Sequence, residues 1–364
     1  MIKKLWVKDF RNFDEFVLDF TEYKDFVFFG DNNQGKTNLL ESLYFLGNGH
    51  SPNENNINNL VNFNKKEAYL GLDFQKNGAN QRIYYKIHKP GKKLGIFNNK
   101  QLRTLSLLTK ELQIEYISAD IIRIFTESPE FRRKEVDRFC KLFFPEYNEE
   151  LKSYERILRQ KNNLIKTSQD LSAIKIWNQK LIEKAEVIVK LRKEALELLL
   201  NELKVMVKKI DKQFIKGLSV NYKIFGFTVN QGEIYRNVLE SQLNSKAQKE
   251  YQVGYALYGP HRDDFCINID NKDLFSLFSR GINRIFAILF KISQITALVS
   301  RNNTVPVLLM DDSLAELDIK MKKKMLGLIS NKLQIFYTTV LEEDKKLLSN
   351  VKVYQIKKGK LVSG

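Results

Sequence analysis

Cysteine and proline are scarce in this chain, and acidic residues are outnumbered by basic ones. Its 364 residues include two cysteines and six prolines, and 43 Asp and Glu stand against 60 Lys and Arg. Cys140 and Cys266 are too few and too far apart for a disulfide framework or a cysteine-based metal site, so a reducing, cytoplasmic setting is expected. The first residues, MIKKLW, run straight into Lys8, Asp9 and Arg11, so no secretory leader is expected. No apolar run reaches the length of a membrane span, and no membrane partner is expected. Neither proline nor glycine occurs between Glu146 and Lys212, which leaves that stretch free to form long helices. His261 has no partner pattern and reads as a structural residue.

What is abundant is positive charge, a net +17. An excess of this size suits a polyanionic partner, nucleic acid first and an anionic membrane surface second. The lysine- and asparagine-rich usage of an AT-rich genome is the other source of such an excess.

Residues 30–37, GDNNQGKT, have the spacing of a phosphate-binding loop. Phe26 to Phe29 form a short apolar run suited to a buried strand. Leu39, Leu40, Leu43 and Leu46 then fall at helical spacing. In that order of strand, loop and helix, backbone N–H groups and the helix N-terminus together make an anion nest. Gly30 and Gly35 permit the tight turn. Lys36 reaches the β- and γ-phosphates, and Thr37 presents a hydroxyl to Mg²⁺. Asn33 stands where many such loops carry glycine, and Asn is the side chain that best tolerates a left-handed backbone. Asp31, Asn32, Asn33 and Gln34 complete the candidate ATP contacts. Arg11, in the turn FRNF, reads equally as a solvated residue or a nucleotide contact.

Strands are expected over 67–75 and 81–88, joined by a turn with an Asn-Gly pair, with a further short strand near 94–97. Residues 47–64 read as a polar loop. After Ser118 the pattern becomes helical. One amphipathic segment runs from Leu151 to Ile165. Thr167 to Asp170 resemble a capping box. A second helix of about forty residues follows, so a hairpin or arm and a plain helical subdomain are both consistent with the pattern. Strand patterns return at 218–222, 224–229 and 265–269, with a polar helix near 234–249 between them. The expected division is a first lobe of 1–117 and 301–364, and a mostly helical second lobe of 118–300.

Two late stretches supply a second half for the site. SRGINR, 279–284, opens an apolar helix and leaves N–H groups and a hydroxyl free, as a phosphate site or a plain helix cap would. Val305 to Met310 form an apolar run ending in Asp311 and Asp312. A buried parallel strand would deliver Asp311 to Mg²⁺ and place Asp312 as general base, making Asp312 and Lys36 the catalytic candidates. Asp318 follows.

Together FRNF (10–13), GDNNQGKTNLLESLYFL (30–46), SPEFRR (128–133), GPHRDDF (259–265), SRGINR (279–284) and LLMDDSLAELD (308–318) resemble the RecF family of DNA repair ATPases. Its heads are similar to those of SMC and Rad50 within the ABC class. The resemblance implies an α/β fold: an ABC-type P-loop ATPase head with a mixed β-sheet lobe and a helical second lobe. It implies an ATP-dependent homodimer in which the loop of one subunit meets Ser279 and Gly281 of the other across ATP, with Asp318 at that interface. It further implies binding to single-stranded or gapped DNA, RecR- and RecO-type partners, a role in repair, replication and the SOS response, and slow DNA-stimulated ATP hydrolysis. Ile282 and Asn283 depart from the family's signature stretch. They motivate the alternative of a nucleotide-gated clamp with negligible hydrolysis. An ABC-type subunit of another DNA-defence system is the remaining alternative.

Overall fold

The computed structural model describes the chain except residues 103–107, 109–110, 168–170, 216, 226, 229–233, 275–278, 303–304, 330 and 364. It divides into two compact units. One is built from Met1–Ile121 and Asn303–Gly364, the other from Ile122–Asn302.

The first unit begins with β1 (Ile2–Phe10), β2 (Phe13–Asp19) and β3 (Asp25–Phe29), followed by helix α1 (Lys36–Asn48). Gly49, at φ 69°, ends α1 in a left-handed cap. The helix therefore runs into what the sequence pattern marks as loop. A single turn of 3₁₀ helix, Ile57–Leu60, lies in the rest of that loop. β4 (Glu67–Lys76), β5 (Ala79–His88), β6 (Lys92–Phe97) and β7 (Lys100–Gln101) complete an antiparallel sheet in the order β2-β1-β4-β5-β6-β7. β8 (Ile114–Ser118) belongs to the other sheet.

In the second unit a single helical turn, Arg123–Thr126, precedes α2 (Pro129–Phe143), whose proline sits where the missing N–H costs nothing. Next come α3 (Tyr147–Thr167) and α4 (Leu171–Ile210), the latter 40 residues and so roughly 60 Å long. Ser168 to Asp170 of the proposed capping box lie outside the described residues. β9 (Ser219–Ile224) and β10 (Phe227–Thr228) lead to α5 (Tyr235–Ser245) and α6 (Ala247–Val253). The expected single polar helix is thus two, parted at Lys246, where φ −115° and ψ 14° leave helical geometry. β11 (Asp264–Ile269) and β12 (Lys272–Asp273) finish a small sheet, ordered β10-β9-β11-β12. The last element is α7 (Arg280–Asn302).

Two of the family-like motifs meet inside this unit. Arg132 forms a bidentate pair with Asp264 at 2.8 and 2.7 Å, and Arg133 donates to the Asp263 carbonyl at 2.6 Å. Arg192, from the middle of α4, bridges Asp137 and the Pro260 carbonyl. His261 shares a 2.6 Å hydrogen bond with Tyr154. Its burial holds the imidazole down at about 4, so it is neutral and structural, as read from the sequence.

Residues 280–301 of α7 are long and apolar enough to span a membrane, at mean hydropathy 1.5, contrary to the sequence expectation. The segment's 78% burial identifies it as a core helix.

The chain returns to the first unit with β13 (Val307–Asp311), α8 (Ile319–Leu328), β14 (Gln334–Thr339), β15 (Val351–Lys357) and β16 (Lys360–Ser363). They join β3 and β8 in a sheet ordered β16-β15-β3-β14-β13-β8, parallel except for β16. Leu39, Leu43, Phe45 and Leu46 of α1 are fully buried in a core shared with residues of both sheets. Phe20, Phe26 and Phe336 pack edge-to-face within it at 4.6 and 5.0 Å.

Candidate nucleotide site

Ligand sites in open α/β sheets form beyond the carboxyl ends of parallel strands. Here β3 ends at the phosphate loop and β13 ends at Asp311, with β14 between them. The loop's geometry requires its glycines. Gly30 has φ 159°, and a Cβ on it would lie 2.4 Å from the Ile356 carbonyl oxygen. Gly35 has φ 113° and is the N-cap of α1. Asn33 adopts φ 60°, the left-handed conformation for which asparagine is suited.

Lys36 is buried, and its ammonium donates to the carbonyls of Gly30 and Asp31 at 2.8 and 2.9 Å. The Thr37 hydroxyl donates to Asp311 at 3.2 Å. The same carboxylate oxygen accepts from Thr338 at 2.7 Å, and the other accepts from Tyr116 at 2.7 Å. Asp312 follows at φ 46°, a strained conformation of the kind found at functional sites. Its backbone N–H is fixed by the Thr338 hydroxyl at 3.1 Å. Its Oδ1 is buried with no hydrogen-bond partner among the described residues. Burial pushes this carboxyl up, Lys36 opposes the shift, and Asp311 and Asp344 add to it.

A cavity of about 570 Å³ opens over the loop, lined by Asn12, Asn32, Asn33, Gly35, Lys36, Thr37, Asn38 and Asp312. Not every candidate faces it. Gln34 turns its amide toward Lys358, whose N–H it accepts at 2.6 Å. Asp31 is exposed. Arg11 is paired bidentately with buried Glu41 at 2.7 and 2.8 Å, tying the β1–β2 turn to α1. In the second unit, Ser279 and Gly281 are exposed at the start of α7, and the Ser279 hydroxyl accepts from the Ile282 N–H at 3.4 Å. Exposed Asp318 caps α8 through the Met321 N–H at 2.8 Å. Sequence reading missed Tyr116, Thr338 and Asn12. Asn12 lies in the FRNF turn and could have been found there, whereas Thr338 and Tyr116 reach Asp311 through neighbouring strands that no local motif marks.

The arrangement suits a metal-bound polyphosphate. Among the described residues no three His, Cys, Asp or Glu cluster to cage a metal. A hydroxyl and one carboxylate, with phosphate oxygens completing the shell, are what Mg²⁺ takes at such sites.

A strand, phosphate loop and helix set beside an acidic parallel strand define an ABC-type P-loop ATPase head. Residues 1–361 match the family described as RecF/RecN/SMC N terminal domain. The DNA replication and repair protein RecF of Clostridium kluyveri is 32% identical over 367 residues, covering 99% of both chains. That of Staphylococcus epidermidis is 30% identical over 375 residues, again 99% of each. The solved structure of a recombination mediator protein RecF with ATP, from the RecFOR pathway, has a TM-score of 0.86 at 26% identity. The match covers 100% of this chain and 97% of that one. An Smc head bound to the C-winged helix domain of ScpA shares the fold, at TM-score 0.58 and 16% identity over 100% and 97% of the two chains. The chain belongs to the RecF family.

Proposed function

We propose that the chain is an ATP-dependent DNA-binding protein of recombinational repair and replication restart. It dimerises on ATP and binds single-stranded or gapped DNA in the cytoplasm with RecR- and RecO-type partners. The observation that carries this reading is the Thr37–Asp311 contact at the mouth of the phosphate loop, with the unpartnered Asp312 oxygen beside it. Thr37 and Asp311 would hold Mg²⁺, and Lys36 would leave the loop carbonyls for the β- and γ-phosphates. Bound Mg²⁺ supplies charge neutralisation at the phosphoryl oxygens. Asp312, whose burial makes its carboxylate more basic while Lys36 opposes that shift, would as the carboxylate take the proton of the attacking water. Ser279 and Gly281 of a second copy are accessible for capping the nucleotide, and exposed Asp318 would lie at that interface. The net charge of +17 suits a polyanion, whose affinity falls steeply with salt through counterion release.

Gel filtration of Asp312→Asn with and without ATP tests the reading. A dimer in ATP alone is expected, together with phosphate release about 100-fold below wild type. A monomer at saturating ATP overturns the dimer. Wild-type phosphate release no faster than that of Lys36→Ala, with gapped DNA present, means a clamp that does not turn over. Normal turnover by Asp312→Asn removes the base assignment.

A further inference from the structure

The phosphate loop is held from behind by a piece of chain more than 300 residues away. Lys358, at φ 50°, and Gly359, at φ 71°, form the turn between β15 and β16. The Gln34 side-chain oxygen accepts the Lys358 N–H at 2.6 Å, and the Gln34 carbonyl accepts the Gly359 N–H at 3.0 Å. That carbonyl also accepts from the Asn12 amide at 3.2 Å, and the Asn12 oxygen accepts from Asn38 on α1 at 2.8 Å. The Gln34 amide nitrogen reaches the Asn32 carbonyl at 3.4 Å, stapling the loop to itself. The fit is close at both ends. A Cβ on Gly359 would meet the Asn12 carbonyl oxygen at 2.6 Å, and Gly30 presses against Ile356 of β15.

We propose that the β15–β16 turn is a positioning element of the phosphate loop, gripped by Gln34, and that nucleotide affinity is set through this grip. Gln34 then contributes no side-chain contact to the triphosphate. It holds residues 32–35 in the curvature that aims their N–H groups inward, so that ordering the loop is not charged against binding. Any ligand that displaces the turn would loosen the nucleotide. The affinity half of the proposal rests on the nucleotide reading above; the brace itself does not.

Two variants test it: Gln34→Met, which keeps the side chain's length but removes its acceptor, and Gly359→Ala, which drives a methyl group toward Asn12. Amide hydrogen exchange across residues 30–37 is measured without nucleotide, and ATP affinity with Mg²⁺ by calorimetry. Loss of one or two hydrogen bonds is expected to speed exchange about tenfold and to weaken ATP about tenfold in each variant. Gln34→Glu keeps the acceptor for the Lys358 N–H but loses the donor to the Asn32 carbonyl, so its exchange lies between wild type and Gln34→Met, while its charge weakens ATP. Unchanged exchange in both variants overturns the brace, and faster exchange with unchanged affinity overturns the positioning role. A wild-type chain that binds no ATP overturns the nucleotide reading instead, and the exchange result still decides the brace.

Discussion

The hydroxyl of Thr37 and the carboxylate of Asp311 meet at 3.2 Å across 274 residues of sequence. No local contact holds them there. β3 and β13 are each parallel to β14, and that shared neighbour sets how far each strand end projects. Thr338 on β14 then hydrogen-bonds Asp311 and aligns it directly.

Replacing Lys36 by alanine removes the ammonium held at the loop carbonyls. ATP affinity is expected to fall about 100-fold, the range of a charge-assisted contact. Calorimetry with Mg²⁺ measures it, and a loss under threefold would remove Lys36 from the phosphate contacts.

Tyr116→Phe deletes the donor to one Asp311 oxygen, together with the acceptor of the Asn53 amide at 3.3 Å. Outer hydrogen bonds of this kind change metal affinity by about tenfold or more. The Mg²⁺ concentration for half-maximal ATP binding should rise about tenfold, while nucleotide binding at saturating Mg²⁺ is retained. An unchanged Mg²⁺ titration would show that Tyr116 does not orient the carboxylate.

By charge alone Lys320, Lys322, Lys323 and Lys324 read equally as a DNA contact or as a solvated helix face. The structure removes Lys322 from both readings. Lys322 is buried and donates to Asp344 at 2.8 and 2.9 Å, and Asp344 also accepts from Tyr337 and Thr339. Lys322→Met leaves a buried carboxylate without its cation and is expected to cost about 3–5 kcal/mol of stability. Denaturant melts read the loss, and adding Asp344→Asn should restore part of it. A fully stable Lys322→Met with weakened DNA binding would reinstate the surface reading.

The second unit holds two titrations of opposite sign. Burial raises Asp263 to about 6, so the folded state binds its proton first, and the cost of burying the carboxylate is relieved as pH falls from about 6 to 4. Burial lowers His261 to about 4, so the unfolded state binds that proton first, and stability is lost as pH falls from about 6.5 to 4. In the wild type the two slopes oppose each other. Asp263→Asn leaves the histidine uncompensated, so the variant should lose more stability than wild type on acidification, on the order of 3 kcal/mol. His261→Gln should do the reverse. Urea melts at pH 7 and 4.5 measure both slopes; equal slopes in all three proteins would refute the linkage.

The phosphate loop and the acidic strand were legible because each couples a short polar motif to an apolar run, and both halves are local in sequence. Tyr116 was not, because its role depends on β8 lying beside β13, and strand order is not written in any single segment. Gln34 was assigned to the nucleotide by its place in the motif, whereas its side chain answers to a turn contributed by a stretch more than 300 residues further along the chain. Lys322 could have been read correctly. It lies three and four residues before Met325 and Leu326, on the buried stripe of α8.

Because β3 is flanked by β14 and β15, the strand carrying the phosphate loop has neither hydrogen-bonded neighbour until the ribosome has made nearly the entire polypeptide. The intervening helical unit, Ile122–Asn302, is complete well before that. A nascent or prematurely terminated chain therefore carries the GKT motif but not the sheet that shapes it. Competence for nucleotide therefore arrives late in synthesis.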